Sequence, residues 1–350
     1  MNVYTYYKMV VYCLLSYVFV CIAEPDCATI KSYTNTIFQK NETNTKNEKT
    51  NIRIMQYNTE WLFIDYYASS DCPGQGCTWK NKSEAETHLS YVAKVIRNMA
   101  PDIVNICEIE GCDELNMLLK NTEYSPYLIN GKDTSTGQNV GMLTKINPRV
   151  SLYRTEEHVN YPIINSKCEY TGAPGTAGVS KHYITEFARN NMNIAFIGAH
   201  LLAFPTDTMR CAEREAQATV LQNVILSYIK KNYEIIMLGD FNDFDENTLD
   251  RNNNKPTSHV LDILKGVNTG VYTLQNAASL IPQSSRYSDW YDSNKDCKST
   301  LSEFSMIDHI LLTPNLMDKV KNVFIYQEYA EYCGKYNSDH YPVIVDFDFS

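Results

Sequence analysis

The first regular alternation of apolar and polar positions lies at residues 52–58, "IRIMQYN", and predicts a β-strand. The period then changes. Leu89, Val92, Ile96 and Met99 recur at helical spacing, behind a capping box of Ser83 and Glu86 and ahead of Pro101, which ends the helix. "DIVNICEI" and "VGMLTKI" predict the next two strands, and residues 183–187 with "NIAFIGAHLL" predict a hairpin across "ARNNMN". From about residue 207 to 231, Ala212, Ala216, Val220, Val224 and Tyr228 form one stripe of a long helix. "EIIMLGD", "MIDHILLT" and "YPVIVDFDF" supply the later strands. Some strands follow one another directly while others sit in βα units, so the pattern predicts an α/β domain with a pair of mixed sheets flanked by helices. No repeat or linker divides residues 51–350, which read as one domain.

Ahead of that domain, residues 24–50 are expected to be a flexible lead-in, because 31–50 are rich in Asn, Thr and Lys and have little to bury. Residues 1–23 differ again. A lone Lys8 precedes fifteen uncharged residues, "MVVYCLLSYVFVCIA", which end at the small Ala23. That length suits a signal peptide cleaved near Ala23, with an uncleaved anchor as the alternative, and the protein is expected to be secreted. Of the eleven cysteines, Cys13 and Cys21 lie in this segment, and the nine that remain leave one thiol unpaired or joined to another chain. "DCPGQGC" places Cys72 and Cys77 around a Pro-Gly turn and predicts a local disulfide; the competing half zinc site has no matching second pair. Asn41 in "NET" and Asn81 in "NKS" are glycosylation sequons.

Composition is globular, with 44% hydrophobic and 21% charged residues. The net charge of −10 argues against capture of nucleic acid by a broad basic face. A phosphodiester substrate stays open, because a bound divalent cation inverts the local field.

Polar groups collect where the predicted strands end. The first strand ends in Asn58 and Glu60, the second in Glu108, "FIGAHL" in His200, and "MLGDFND" in Asp240 and Asn242. "FSMIDHILL" embeds Asp308, and "NSDHYPV" sets Asp339 and His340 before the last strand. One such residue is an ordinary turn former; this many at successive strand ends point to a site. Glu108, Asp339, Asn58 and Glu60 offer hard oxygen ligands suited to Mg²⁺ or Mn²⁺. No His-Glu-x-x-His, thiolate cluster, EF-hand loop, P-loop or Gly-x-Ser-x-Gly competes with them. A divalent ion, a histidine base and an amide donor together suit hydrolysis of a phosphate ester.

"GDFN" together with "SDHYPV", supported by "PDIV" ahead of Glu108 and by Asn58 and Glu60, resembles the endonuclease/exonuclease/phosphatase superfamily, from residue 51 to 349. The resemblance implies a DNase I-like, four-layer sandwich of two packed mixed sheets between helices. It implies Glu108 as principal Mg²⁺ ligand with Asn58, Glu60 and Asp339 nearby. By ligand type Ca²⁺ is less favoured than Mg²⁺ or Mn²⁺ and is kept only as an alternative, structural ion. His340 resembles the base that activates water and Asp308 its orienting carboxylate; Asp240 and Asn242 would line the water and a phosphoryl oxygen, and His200 would assist the phosphate. Lys181 and His182 sit near the position of a phosphate-binding Arg in DNase-like members. His309, one residue past Asp308, should face away and be structural, and His88, His158 and His259 read as surface or helix residues. Arg210 and Arg214 lie four apart on one helix face, a geometry that also suits a solvated edge.

The expected function is a secreted, divalent-metal-dependent phosphodiesterase, with an endonuclease acting on nucleic acid favoured. A sphingomyelinase-like or other small-molecule phosphoesterase is the first alternative, and "RYSDWYDSN" would be its membrane surface or a substrate-lining loop. A non-catalytic binding module is the second. No stable protein partner is implied.

Overall fold

A computed structural model describes residue 27 and residues 50–64, 79–120, 122–328 and 338–350. The first sheet has six strands: β1 (Asn51–Leu62), β2 (Ile103–Ile109), β3 (Ser125–Leu128), β4 (Asn139–Thr144), β14 (Val320–Ile325) and β15 (Val343–Asp348), ordered β14-β15-β1-β2-β4-β3. The second has five: β7 (Lys181–Arg189), β8 (Met192–His200), β9 (Glu234–Asp240), β10 (Gln275–Asn276) and β13 (Asp308–Leu312), ordered β10-β13-β9-β8-β7. Each sheet contains one parallel pair, β1 with β2 and β8 with β9, among antiparallel neighbours. Two short ribbons pair β5 (Val159–Tyr161) with β6 (Gly175–Ala177) and β11 (Asp289–Trp290) with β12 (Phe304–Ser305).

The strand period decides the layering. Ile54, Ile103, Met142, Phe196, Leu238, Ile310 and Val345 meet in a core between the two sheets. Their neighbours point outward. Met55, Val104 and Ile344 pack under helices α1 (Lys82–Met99) and α2 (Cys112–Leu118), beside Val92, Ile96 and Leu115. On the other side Ala195, Ile197 and Met237 pack under α3 (Thr208–Ile229) and α4 (Val260–Lys265), beside Val220, Leu221 and Leu264. A fifth, one-turn helix, α5, spans Pro314–Met317. The four-layer sandwich of two mixed sheets between helices is therefore the observed fold.

Local details follow the sequence with some changes. The predicted hairpin forms, and Asn190 and Asn191 at its tip have φ of 45° and 63°, the left-handed pair that a two-residue turn requires. Helix α1 begins earlier than its predicted capping box. The cap is Asn81, whose Oδ1 accepts from the Glu84 N–H at 3.0 Å, and not Ser83. Cys27 is disulfide-bonded to Cys112, which anchors a residue of the expected lead-in to the start of α2. A second disulfide joins Cys168 to Cys211, Cys297 is also disulfide-bonded, and Cys107 is a free, buried thiol. Residues 1–23, Asn41, Cys72 and Cys77 lie outside the described residues. Among the described residues no helix is long and apolar enough to cross a membrane.

Candidate active site

Strand direction brings the polar ends together. Parallel β1 and β2 deliver Asn58 and Glu108 at the same edge, and parallel β8 and β9 set His200 opposite Asp240. Antiparallel β13 starts at that edge, with Asp308 opposite Asp240. The segment before β15 is tied there by Ser338, whose hydroxyl donates to Asn58 O at 2.6 Å and accepts from the His340 N–H at 3.0 Å. Pairing of Asp289 with His340, and of the Trp290 N–H with Asp339 O at 2.9 Å, fixes the same segment from the other side.

His340 is the best-defined group. Its Nδ1 donates to Asp308 Oδ2 at 2.7 Å, and that carboxylate is itself held by Ser288 Oγ at 2.9 Å and Gln56 Nε2 at 3.0 Å. Nε2 is thereby turned toward Asp240 Oδ2 and Asp289 Oδ1, each 3.8 Å away, and Asp339 Oδ1, 3.9 Å away. Burial opposes charge on this ring, but the Asp308, Asp339 and Asp240 carboxylates outweigh it and hold the imidazole pKa well above its ordinary value. His200 is poised the opposite way. Burial, with Lys181 and His340 adding repulsion, keeps it neutral, its Nε2 3.6 Å from Asp240 Oδ2 and 3.9 Å from Glu108 Oε1.

The carboxylates are under electrostatic load. Burial and the Asp308 charge push Asp240 up to about 8, although it accepts from Asn58 Nδ2 at 3.0 Å and the Asn242 N–H at 2.9 Å. Burial also raises Asp339 to about 7, with Asp289 and Glu108 repelling it. Glu108 accepts from Asn58 Nδ2 at 3.1 Å and the Trp61 N–H at 3.0 Å. Glu60 turns its carboxylate to the Asp339 N–H at 3.1 Å, and Asn242 donates to Leu201 O at 3.1 Å. Glu60, Glu108 and Asn242 all have positive φ, of 47°, 63° and 51°. Such strain in side-chain-bearing residues collects where geometry serves chemistry.

A hard divalent ion fits here on the structure's own terms. Asp339 Oδ1 is buried with no hydrogen-bond partner among the described residues, and it belongs to a carboxylate that Glu108 and Asp289 repel. Asp289, Asp339 and His340 present ligand atoms within 4.8 Å of one another. An oxygen-rich, mutually repelling set of this kind suits Mg²⁺ or Mn²⁺.

All the predicted catalytic and metal residues except Asn58, Glu60 and Asp308, which sit just behind, line one cleft of about 760 Å³. Lys181 is placed otherwise. It pairs in register with His200 but is buried, its ammonium 3.1 Å from Gln138 Oε1 and 3.6 Å from Asp133. His309 faces away as expected, donating to Asp243 O at 2.9 Å and accepting from Asn276 at 3.0 Å. His88 lies on α1 but is no surface residue: it is buried, bonded to Thr59 O at 2.7 Å and stacked on Trp79. His158 is exposed, and His259 precedes α4. The two arginines of α3 part company, because Arg210 is half-exposed beside Glu213 whereas Arg214 is buried, donating to Leu202 O at 3.0 Å and 3.8 Å from Asp243.

Sequence reasoning missed three members. Asp289 lines the cleft, and Ser288 and Gln56 hold Asp308. "RYSDWYDSN" contained the signal for the first two, since its acidic and aromatic residues stood out with no turn to explain them. Gln56 inside an apolar strand gave the signal for the third.

No family model matches the chain, and no curated protein matches it. Solved structures do. A 3′ phosphatase from Neisseria (NExo) bound to product DNA hairpin is 14% identical, with a TM-score of 0.55 over 85% of this chain and 99% of that one. An endonuclease/exonuclease/phosphatase family protein from Bacteroides thetaiotaomicron is 14% identical, at a TM-score of 0.52 over 87% of this chain and 100% of that one. A mannosyl-6-phosphatase from the same organism is 15% identical, at 0.50 over 84% and 98%. The chain therefore shares the fold of these structures, the DNase I-like sandwich of endonuclease/exonuclease/phosphatase proteins.

Proposed function

We propose that the chain is a divalent-metal-dependent phosphoester hydrolase. The observation that carries this reading is the 2.7 Å His340–Asp308 pair, on a histidine that lines the same cleft as Glu108 and Asp339. Glu108 and Asp339 would hold Mg²⁺ or Mn²⁺, with Asn58 and Glu60 positioning them. When bound, that ion supplies positive charge to a phosphoryl oxygen. His340 Nε2 takes the proton of the attacking water, and Asp308 keeps the proton of Nδ1 in place and stabilises the imidazolium that forms. A cation held by Glu108 and Asp339 would offset the carboxylates that favour the charged His340 ring and so would favour the neutral ring needed of a base. His200, neutral and next to Asp240, donates from Nε2 toward the phosphate.

Among structural neighbours, one is bound to DNA and another is named as a sugar phosphatase. That spread supports phosphate-ester hydrolysis broadly, with nucleic-acid phosphates and small phosphate esters as its two branches. Export to an oxidising compartment is supported by the Cys27–Cys112 and Cys168–Cys211 disulfides. The intact dyad weighs against a non-catalytic binding module.

The test is hydrolysis of bis(4-nitrophenyl) phosphate with Mg²⁺. Glu108→Gln and His340→Ala should each lower turnover by roughly 10²–10⁴-fold, and EDTA should abolish it. Asp308→Ala should fall comparably, and the His340→Ala/Asp308→Ala double variant should be little worse than the worse single, as expected of residues acting as a unit. Full activity in EDTA, or multiplicative losses in a folded double variant, would overturn the assignment.

A further inference from the structure

The charge of the cleft differs from what a polynucleotide needs. Glu108, Asp240, Asp289, Glu303 and Asp339 line it, and no Lys or Arg does so among the described residues. The cations behind it are committed elsewhere. Lys181 is buried on Gln138 and Asp133, and Arg214 is buried on Leu202 O and beside Asp243. Duplex DNA carries one charge per roughly 1.7 Å of axis, and proteins that follow it neutralise several phosphates with Lys and Arg. One divalent ion held by Glu108 and Asp339 would serve a single phosphate.

Part of the remaining lining is aromatic, with Phe204, Phe244, Tyr291 and Phe304 set among small polar and apolar residues. Phe204 stands four residues past His200 and is 69% exposed; Tyr291 stands two past Asp289 and is 72% exposed. Phe204 has a φ of 66°, a conformation costly for a bulky side chain, and it packs against little that would repay the cost. Phe244, Phe304 and Ile307 extend the apolar lining. At about 760 Å³ the cleft has the volume of a small-molecule site.

We infer that this cleft takes a phosphoester of low charge, with one phosphate at the metal-ligating end and an aromatic group resting on Phe204 and Tyr291, and does not track a nucleic-acid duplex; the inference rests on the phosphoesterase reading above. Exposed aromatic faces at the rim of a polar site bind planar groups by stacking.

Affinity tests this separately from turnover. In the slow His340→Ala background with Mg²⁺, calorimetry would compare 4-nitrophenyl phosphate, inorganic phosphate and a short blunt DNA duplex. The aromatic ester should bind about tenfold more tightly than phosphate, and Phe204→Ala or Tyr291→Ala should each erase most of that gap while leaving phosphate affinity unchanged. The duplex should bind more weakly than the ester, with little change between about 50 and about 200 mM salt. A duplex that binds more tightly and loses affinity steeply with salt would overturn the inference, as would alanine variants that weaken both small ligands alike or neither. Binding as expected without any hydrolysis by the wild-type chain would overturn only the phosphoesterase reading; hydrolysis without an aromatic preference would overturn only this inference.

Discussion

His182 sits next to Lys181 in β7 and shows how a single buried ring can set acid sensitivity. Its Nδ1 donates to Val179 O at 2.8 Å, and its Nε2 accepts from the Thr155 N–H at 3.0 Å. Both nitrogens are thus committed to the neutral form, and a second proton would point at another N–H. Burial, with Arg154 adding repulsion, lowers the pKa to about 3. The unfolded chain takes up this proton near the ordinary histidine value of about 6.5, so below that pH it binds more protons than the folded chain. The stabilisation is therefore complete above that value and is lost as pH falls toward about 3, at up to about 1.4 kcal/mol per pH unit. Urea midpoints at pH 7 and pH 5 should converge in His182→Gln, whose amide oxygen can still accept from Thr155. An unchanged acid slope in that variant would show that His182 does not carry the effect. At this scale the sequence was informative where residue type restricts chemistry, as for His340, Asp308 and Glu108. It was silent on burial, which is why His88 read as a surface or helix residue and the Arg210–Arg214 pair as equally suited to a solvated edge, although the fold encloses His88 and Arg214.

At the scale of elements, strands and helices were legible because apolar periodicity records which face is covered. Pairing was not. β1 lies between β15 and β2, partners drawn from residue 348 at one extreme and 103 at the other, and nothing in a local window encodes that choice. Close approach does leave a trace. A Cβ on Gly239 would lie 1.8 Å from Ala199 O, between the parallel strands that hold His200 opposite Asp240. Gly270 is a natural control, since its φ of 64° is left-handed but nothing lies within 4 Å of a Cβ there. Gly270→Ala should cost only the backbone strain of about 1 kcal/mol. Gly239→Ala must push β8 from β9 and should cost about 3 kcal/mol or more, a drop in Tm of roughly 6–12 °C. It should also lower turnover in whatever fraction stays folded, because the two site residues share the displaced register. Equal Tm values for the two variants would mean that the strands can part without loss.

For the whole molecule, a sandwich whose sheets each carry one parallel pair directs several strand ends to a single edge, and this chain fills that edge with acids. Glu108, Asp240, Asp289, Asp308 and Asp339 crowd around two histidines in a protein of net charge −10. Without a cation the carboxylates repel one another, which is the cause of the raised Asp240 and Asp339 values beyond burial itself. The fold thus gives up stability at its site, and a ligand that binds only the folded state returns it, by about 2.7 kcal/mol at a hundredfold excess over Kd. Mg²⁺ should therefore raise the Tm of the wild-type chain by several degrees over EDTA, read by scanning calorimetry. Glu108→Gln removes one charge and keeps an oxygen for the Trp61 N–H; the acceptor for Asn58 Nδ2 is lost, but that group still donates to Asp240. It should match or exceed wild-type Tm in EDTA and lose most of the Mg²⁺-dependent rise. A glutamine variant that is less stable in EDTA but still gains the full rise would place the cation elsewhere and leave Glu108 as a scaffold residue of the β2 end.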